Sequence, residues 1–83
     1  MSKIASDSII TIIKKNVLTV PGVDKKKPVT VRYIEEGFAD IQFSPLSYVS
    51  NISEISKRIQ SVLGKILKEK IGFNIILNVR SSL

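Results

Sequence analysis

The chain has 83 residues, 43% of them hydrophobic, and carries 13 Lys and Arg against 7 Asp and Glu for a net charge of +6. It contains no cysteine, histidine or tryptophan, which rules out disulfides, thiol nucleophiles, serine–histidine triads and His- or Cys-ligated zinc. A domain of this size buries only about 60% of its unfolded surface, so a deep enclosed active site would consume core that it can hardly spare.

The remaining carboxylates are Asp7, Asp24, Glu35, Glu36, Asp40, Glu54 and Glu69. Most fall at expected caps, turns or solvated faces, and they form no legible catalytic set. The reading is a non-enzymatic binding domain, with no cofactor, metal or small-molecule substrate expected. The positive balance favours anionic partners such as RNA, DNA, anionic lipid or an acidic protein face. Ten of the 13 cations are lysines, and lysine is also the ordinary solubilising residue of a small cytosolic domain. Asp7 stands early, without the run of about 7–15 apolar residues that a signal segment needs. No stretch approaches the roughly 18 apolar residues of a spanning helix. The expected location is the cytoplasm.

In chain order, Lys3–Ala5 reads as a short extended lead. Ser6–Leu18 reads as the first helix, with Ser6 or Asp7 as its cap. Ile9, Ile13 and Val17 recur at four-residue spacing, and Ile10 and Ile12 widen that apolar stripe. Lys14 and Lys15 suit its C-terminal end. The run is rich in β-branched residues, so packing rather than propensity must hold it. Val20-Pro21-Gly22-Val23 stops the helix, because proline disfavours helical geometry before it and glycine accepts positive φ. Asp24-Lys25-Lys26-Lys27-Pro28 reads as a polar, mobile connector.

Val29–Ile34 alternates as a strand, Glu35-Glu36-Gly37 turns, and Phe38–Phe43 returns, with Pro45 ending the hairpin. Asn51 with Glu54 three positions on resembles a capping box. It opens a second helix from Ile52 to about Lys70, on which Ile52, Ile55, Ile59, Val62, Leu63, Ile66 and Leu67 form one stripe. Gly64 inside it costs about 1 kcal/mol relative to alanine, and a close helix–sheet contact would account for it. Gly72 is a natural C-cap. Phe73, Ile75, Leu77 and Val79 then alternate with Asn74, Asn78 and Arg80 as a third strand, leaving Ile76 as an apolar residue on its outer face. Two helices with wide apolar stripes need one surface to cover. The predicted fold is therefore a single α+β domain over residues 1–83. It is a two-layer sandwich of order α-β-β-α-β, with a three-stranded sheet covered on one face by two helices.

With Val20-Pro21-Gly22-Val23 closing its first helix, the sequence resembles the alkaline-shock-protein family of bacterial envelope-stress proteins. Ile4-Ala5-Ser6 resembles that family's lead segment, and Ile9, Ile12 and Ile13 fall where its first helix has aliphatics. Ile71-Gly72-Phe73 resembles its glycine turn, and Asn78-Val79-Arg80 its final strand. The resemblance covers nearly the whole chain. Two departures stand out: Tyr48 is followed by Val49-Ser50 where the family often has a tyrosine–glycine pair, and members are often acidic. The resemblance implies a cytoplasmic, non-catalytic envelope-stress adaptor or scaffold. Such proteins act through protein–protein contacts or self-association, some of them held near the membrane by a separate anchor protein. It supplies no catalytic residues.

Candidate contacts are read from the residues themselves. Lys25, Lys26 and Lys27 form the densest basic cluster, and Lys57, Lys65 and Lys68 a basic helix face. Each is either a solvated surface or a contact to phosphate or lipid headgroups. Arg32 and Arg80 share the sheet's outer face if the first and third strands are neighbours, with Tyr48 and Ile76 adding apolar contact there. Such a face suits a second protomer, a protein partner or RNA. A small basic RNA-binding module of KH-like type is thus the alternative, although no G-x-x-G loop occurs.

Overall fold

The computed structural model describes residues 6–35, 37–72 and 75–82. The lead segment Lys3–Ala5, Glu36, Phe73 and Asn74 lie outside these residues. Five elements follow in order: α1 (Ser6–Val17), β1 (Thr30–Glu35), β2 (Phe38–Phe43), α2 (Ile52–Ile71) and β3 (Ile76–Ser81). The sheet order is β1-β2-β3. β2 pairs antiparallel with β1 and parallel with β3, since a whole helix separates β2 from β3 and lets the chain return in the same direction.

The α+β order and the two-layer arrangement match the expectation, while element ends differ. Asp7 sits in the first turn of α1 rather than at its cap, and the Ser6 side chain lies outside what is described. β1 starts at Thr30 rather than Val29, yet Val29 remains buried. β3 starts at Ile76, later than the alternation from Phe73 predicts.

The core is formed by Ile9, Ile13 and Val17 of α1, Ile55, Ile59, Leu63 and Leu67 of α2, and Ala39, Ile41 and Phe43 of β2. Val20, Val23 and Val29 complete it from the connection between α1 and β1. No polar or charged side chain is buried among the described residues. α2 begins on Asn51, whose side-chain oxygen accepts from the Glu54 backbone N–H at 3.3 Å. The Asn51 amide in turn donates to Glu54 Oε2 at 3.3 Å, a reciprocal pair close to the predicted capping box. At the other end Gly72 takes φ of 87° and its N–H donates to Lys68 O at 2.9 Å.

Val20–Val23 does more than stop α1. Val23 forms an isolated antiparallel bridge with Pro45. Asp24 N–H donates to Ser44 O at 2.7 Å, and Leu46 N–H donates to Gly22 O at 2.9 Å. Gly22 itself has φ of 95° and lies directly under Ile55, where a Cβ would fall 2.6 Å from Cδ1. The segment thus ties the end of α1 to the end of β2 and to the first turns of α2. The lysine run that follows is also organised. Asp24 Oδ1 accepts from Lys26 N–H at 3.0 Å and Asp24 O from Lys27 N–H at 3.3 Å, so the predicted connector is a hydrogen-bonded turn. Gly64 departs from expectation in the other direction. It is exposed, and a Cβ there would meet nothing within 4 Å, so no close contact accounts for it.

The two glycines give opposite expectations in urea unfolding. Gly22→Ala combines positive φ with a clash and lowers stability by about 1–3 kcal/mol. Gly64→Ala relieves a helix-interior glycine and raises stability by up to about 1 kcal/mol. Equal midpoints for both variants and the parent chain contradict this account.

Candidate functional site

Strand register places the uncovered side of the sheet. Residues facing the helices along β2 are Ala39, Ile41 and Phe43, all fully buried, so Phe38, Asp40 and Gln42 face outward. β1 contributes Thr30 and Arg32, opposite Gln42 and Asp40. β3 contributes Ile76, Asn78 and Arg80, opposite Phe38, Asp40 and Gln42. The outer face therefore has three rows: Phe38 beside Ile76, Asp40 between Arg32 and Asn78, and Gln42 between Thr30 and Arg80.

Asp40 organises the middle of this surface. Its Oδ1 accepts from the Asn78 amide at 3.0 Å, and its Oδ2 accepts from Arg80 Nη2 at 3.1 Å. The Asp40 side chain is 18% exposed, while that of Arg80 is 61% exposed. Strand β2 supplies the carboxylate, and β3 supplies both donors from alternate positions on the same side. The result is a fixed polar centre with an apolar corner. In that corner Ile76 is 69% exposed and its register neighbour Phe38 is half-buried.

The predicted contact residues separate into four places. Arg32, Arg80 and Ile76 do share the outer face, but β1 and β3 are not neighbours. The two arginines stand on opposite edges, with β2 and Asp40 between them. Lys57, Lys65 and Lys68 lie on the solvent side of α2, and Lys25–Lys27 occupy the turn before β1. Tyr48 is not on the sheet face. It is 81% exposed and lines a shallow depression with Pro21, Gly22, Asn51, Glu54 and Arg58 beside the start of α2. Sequence reasoning missed Asp40 and Phe38 as members of the surface. Their outward phase was visible in the alternation of β2, but their partners depended on the β2–β3 register, which no local pattern encodes.

Among the described residues no three or more His, Cys, Asp or Glu come together as a metal site. No helix among them is long and apolar enough to cross a membrane.

No protein-family model matches the chain, and no curated protein matches it. Solved structures do. One structure of the MamM C-terminal domain superimposes with a TM-score of 0.68 at 19% identity, covering 94% of this chain and 98% of that one. Its copper form gives a TM-score of 0.66 at 19% identity, covering 93% and 84% of the two chains. A nickel form gives 0.66 at 18% identity, covering 92% and 95%. At such identities the likeness is one of fold, which does not fix function: this chain has the α+β fold of the MamM C-terminal domain.

Proposed function

We propose that this chain is a non-catalytic protein-contact module whose contact surface is the outer face of its sheet, and that the surface first pairs with a second copy of the chain. The observation that carries this reading is Ile76, 69% exposed beside Phe38 on a face that neither helix covers. A lone exposed aliphatic is ordinary. An aliphatic next to an aromatic, bordered by a fixed Asp40–Asn78–Arg80 centre, has the make-up of a small interface with an apolar middle and a polar rim. The face also carries both signs of charge, so a second copy meets it without uniform repulsion.

The finer reading is an adaptor or scaffold of alkaline-shock type, working in the cytoplasm near the membrane with protein partners, including an anchor protein. The motif resemblance in Val20–Val23 and Asn78–Arg80 supports it, as does the lack of any His or Cys chemistry in the sequence. The MamM domains include copper, nickel and cadmium forms. Metal binding does not carry over on these residues, because the chain has no His or Cys and its described carboxylates do not cluster. The RNA reading has less to stand on. Tyr48 is away from the sheet face and Arg80 is engaged by Asp40, so stacking platforms are few.

Size-exclusion chromatography with light scattering tests the proposal. The parent chain self-associates, and Ile76→Thr, which keeps strand propensity, weakens association by about tenfold. A parent chain that stays monomeric at high concentration overturns self-association. One that instead co-elutes with short RNA, with affinity falling steeply in salt, moves the function to nucleic acid. A second measurement separates surface shape from stability. In a double-mutant cycle of Asp40→Ala and Arg80→Ala, the coupling in urea unfolding is below about 1 kcal/mol, because the Arg80 end of the pair is open to solvent. Larger coupling would make the network a folding element and remove it from the interface argument.

A further inference from the structure

The helix layer carries a second arrangement that the sheet face does not use. At 100° per residue, Ile55, Ile59, Leu63 and Leu67 of α2 all turn toward the sheet and are buried. Lys57, Ser61, Gly64, Lys65 and Lys68 fall on the opposite side of the helix, and all five are exposed. On α1, Ile9, Ile13 and Val17 are buried, while Thr11, Lys14 and Lys15 are exposed. Both helices contribute to one core over the same side of the sheet. Lys57, Lys65 and Lys68 therefore stand on one outward strip of α2, with Lys14 and Lys15 exposed on α1 in the same helix layer. Among the described residues none of these five forms an ion pair, whereas Arg58 is held by Glu54 at 3.4 Å. The acidic groups of the layer are Asp7 in the first turn of α1, Glu54 and Glu69.

We infer that this surface docks on an anionic lipid bilayer. A bilayer is a plane of negative charge, and attraction to it needs only cations that reach one plane. Lysine suits such a surface, being a point charge on a flexible stem. Ser61 and Gly64 between the α2 lysines add no bulk that would hold them off. Recognition of nucleic-acid bases asks for more than charge: aromatic rings or Arg planes for stacking, and bidentate Arg contacts. Neither helix contains an aromatic residue, and the one arginine in them is paired with Glu54. The docking surface lies on the far side of the domain from Ile76, so membrane docking and self-association use different residues and fail independently.

Flotation of the full chain with vesicles at roughly 0.1 M salt tests the inference. The protein floats with phosphatidylcholine vesicles containing phosphatidylglycerol, and not with phosphatidylcholine alone. Combining Lys57→Gln, Lys65→Gln and Lys68→Gln lowers the partition coefficient by about a hundredfold, at about fivefold per lysine near the surface. The charge-matched set Lys25→Gln, Lys26→Gln and Lys27→Gln lowers it by less than about tenfold. Circular dichroism shows both variants folded, since every position changed is exposed. Ile76→Thr leaves flotation unchanged. Three outcomes overturn the inference: no preference for anionic vesicles, equal losses in the two lysine sets, or displacement from vesicles by single-stranded RNA or duplex DNA at matched phosphate.

Discussion

Ala39, Ile41 and Phe43 are completely shielded from water, and they can be so only because β2 has a strand along each edge and a helix layer above it. A strand buried in this way must place all its backbone groups in ladders, since unpaired ones under a helix would be costly. That requirement dictates the rest. The hairpin supplies one neighbour. The second has to arrive from beyond α2, and α2 must cross the sheet on the covered side to bring it. α1 then covers what α2 leaves open, beside β1. The Val20–Val23 segment holds the two helices to the same end of β2 through Gly22, Ile55 and the bridge to Pro45.

The α2 stripe and the β2 alternation were legible in the sequence because each repeats a single period over several turns or residues. The caps at Asn51 and Gly72 were legible because they depend on one side chain and its near neighbours. What could not be read depends on distance along the chain. Whether Arg32 and Arg80 touch is decided by strand order, and the strand order places Asp40 between them. Whether Gly64 is pressed against something is decided by how α2 is rotated over the sheet, and it points to solvent. Gly22 shows the converse. As a helix stop it needs only flexibility, but packed under Ile55 it also needs to lack a side chain, and only the fold reveals the second reason.

The two broad surfaces have different chemistry for a common reason. Strand side chains alternate at short spacing, so the sheet's outer face can bring Asp40, Asn78 and Arg80 within hydrogen-bonding reach and neutralise much of its own charge. The helix surface spreads Lys57, Lys65 and Lys68 along α2, and among the described residues none of them is held in an ion pair. One side is a patterned surface that can distinguish partners by shape. The other is a smooth field that responds to net charge and is sensitive to ionic strength.

The parallel pairing of β3 with β2 also sets an order of assembly. The β1–β2 hairpin closes over a turn of a few residues, and such elements form within about 1–10 μs. β3 pairs residues some 38 positions apart, as in the Asn78–Asp40 contact, and closing that longer loop costs more chain entropy than closing the hairpin. Until it closes, the second edge of β2, with Phe38 and Ile41 on it, is an open template for any strand. Contact order of this kind slows folding. The interval before β3 docks is therefore when this small domain is most exposed to exchanging its last strand with a neighbouring copy.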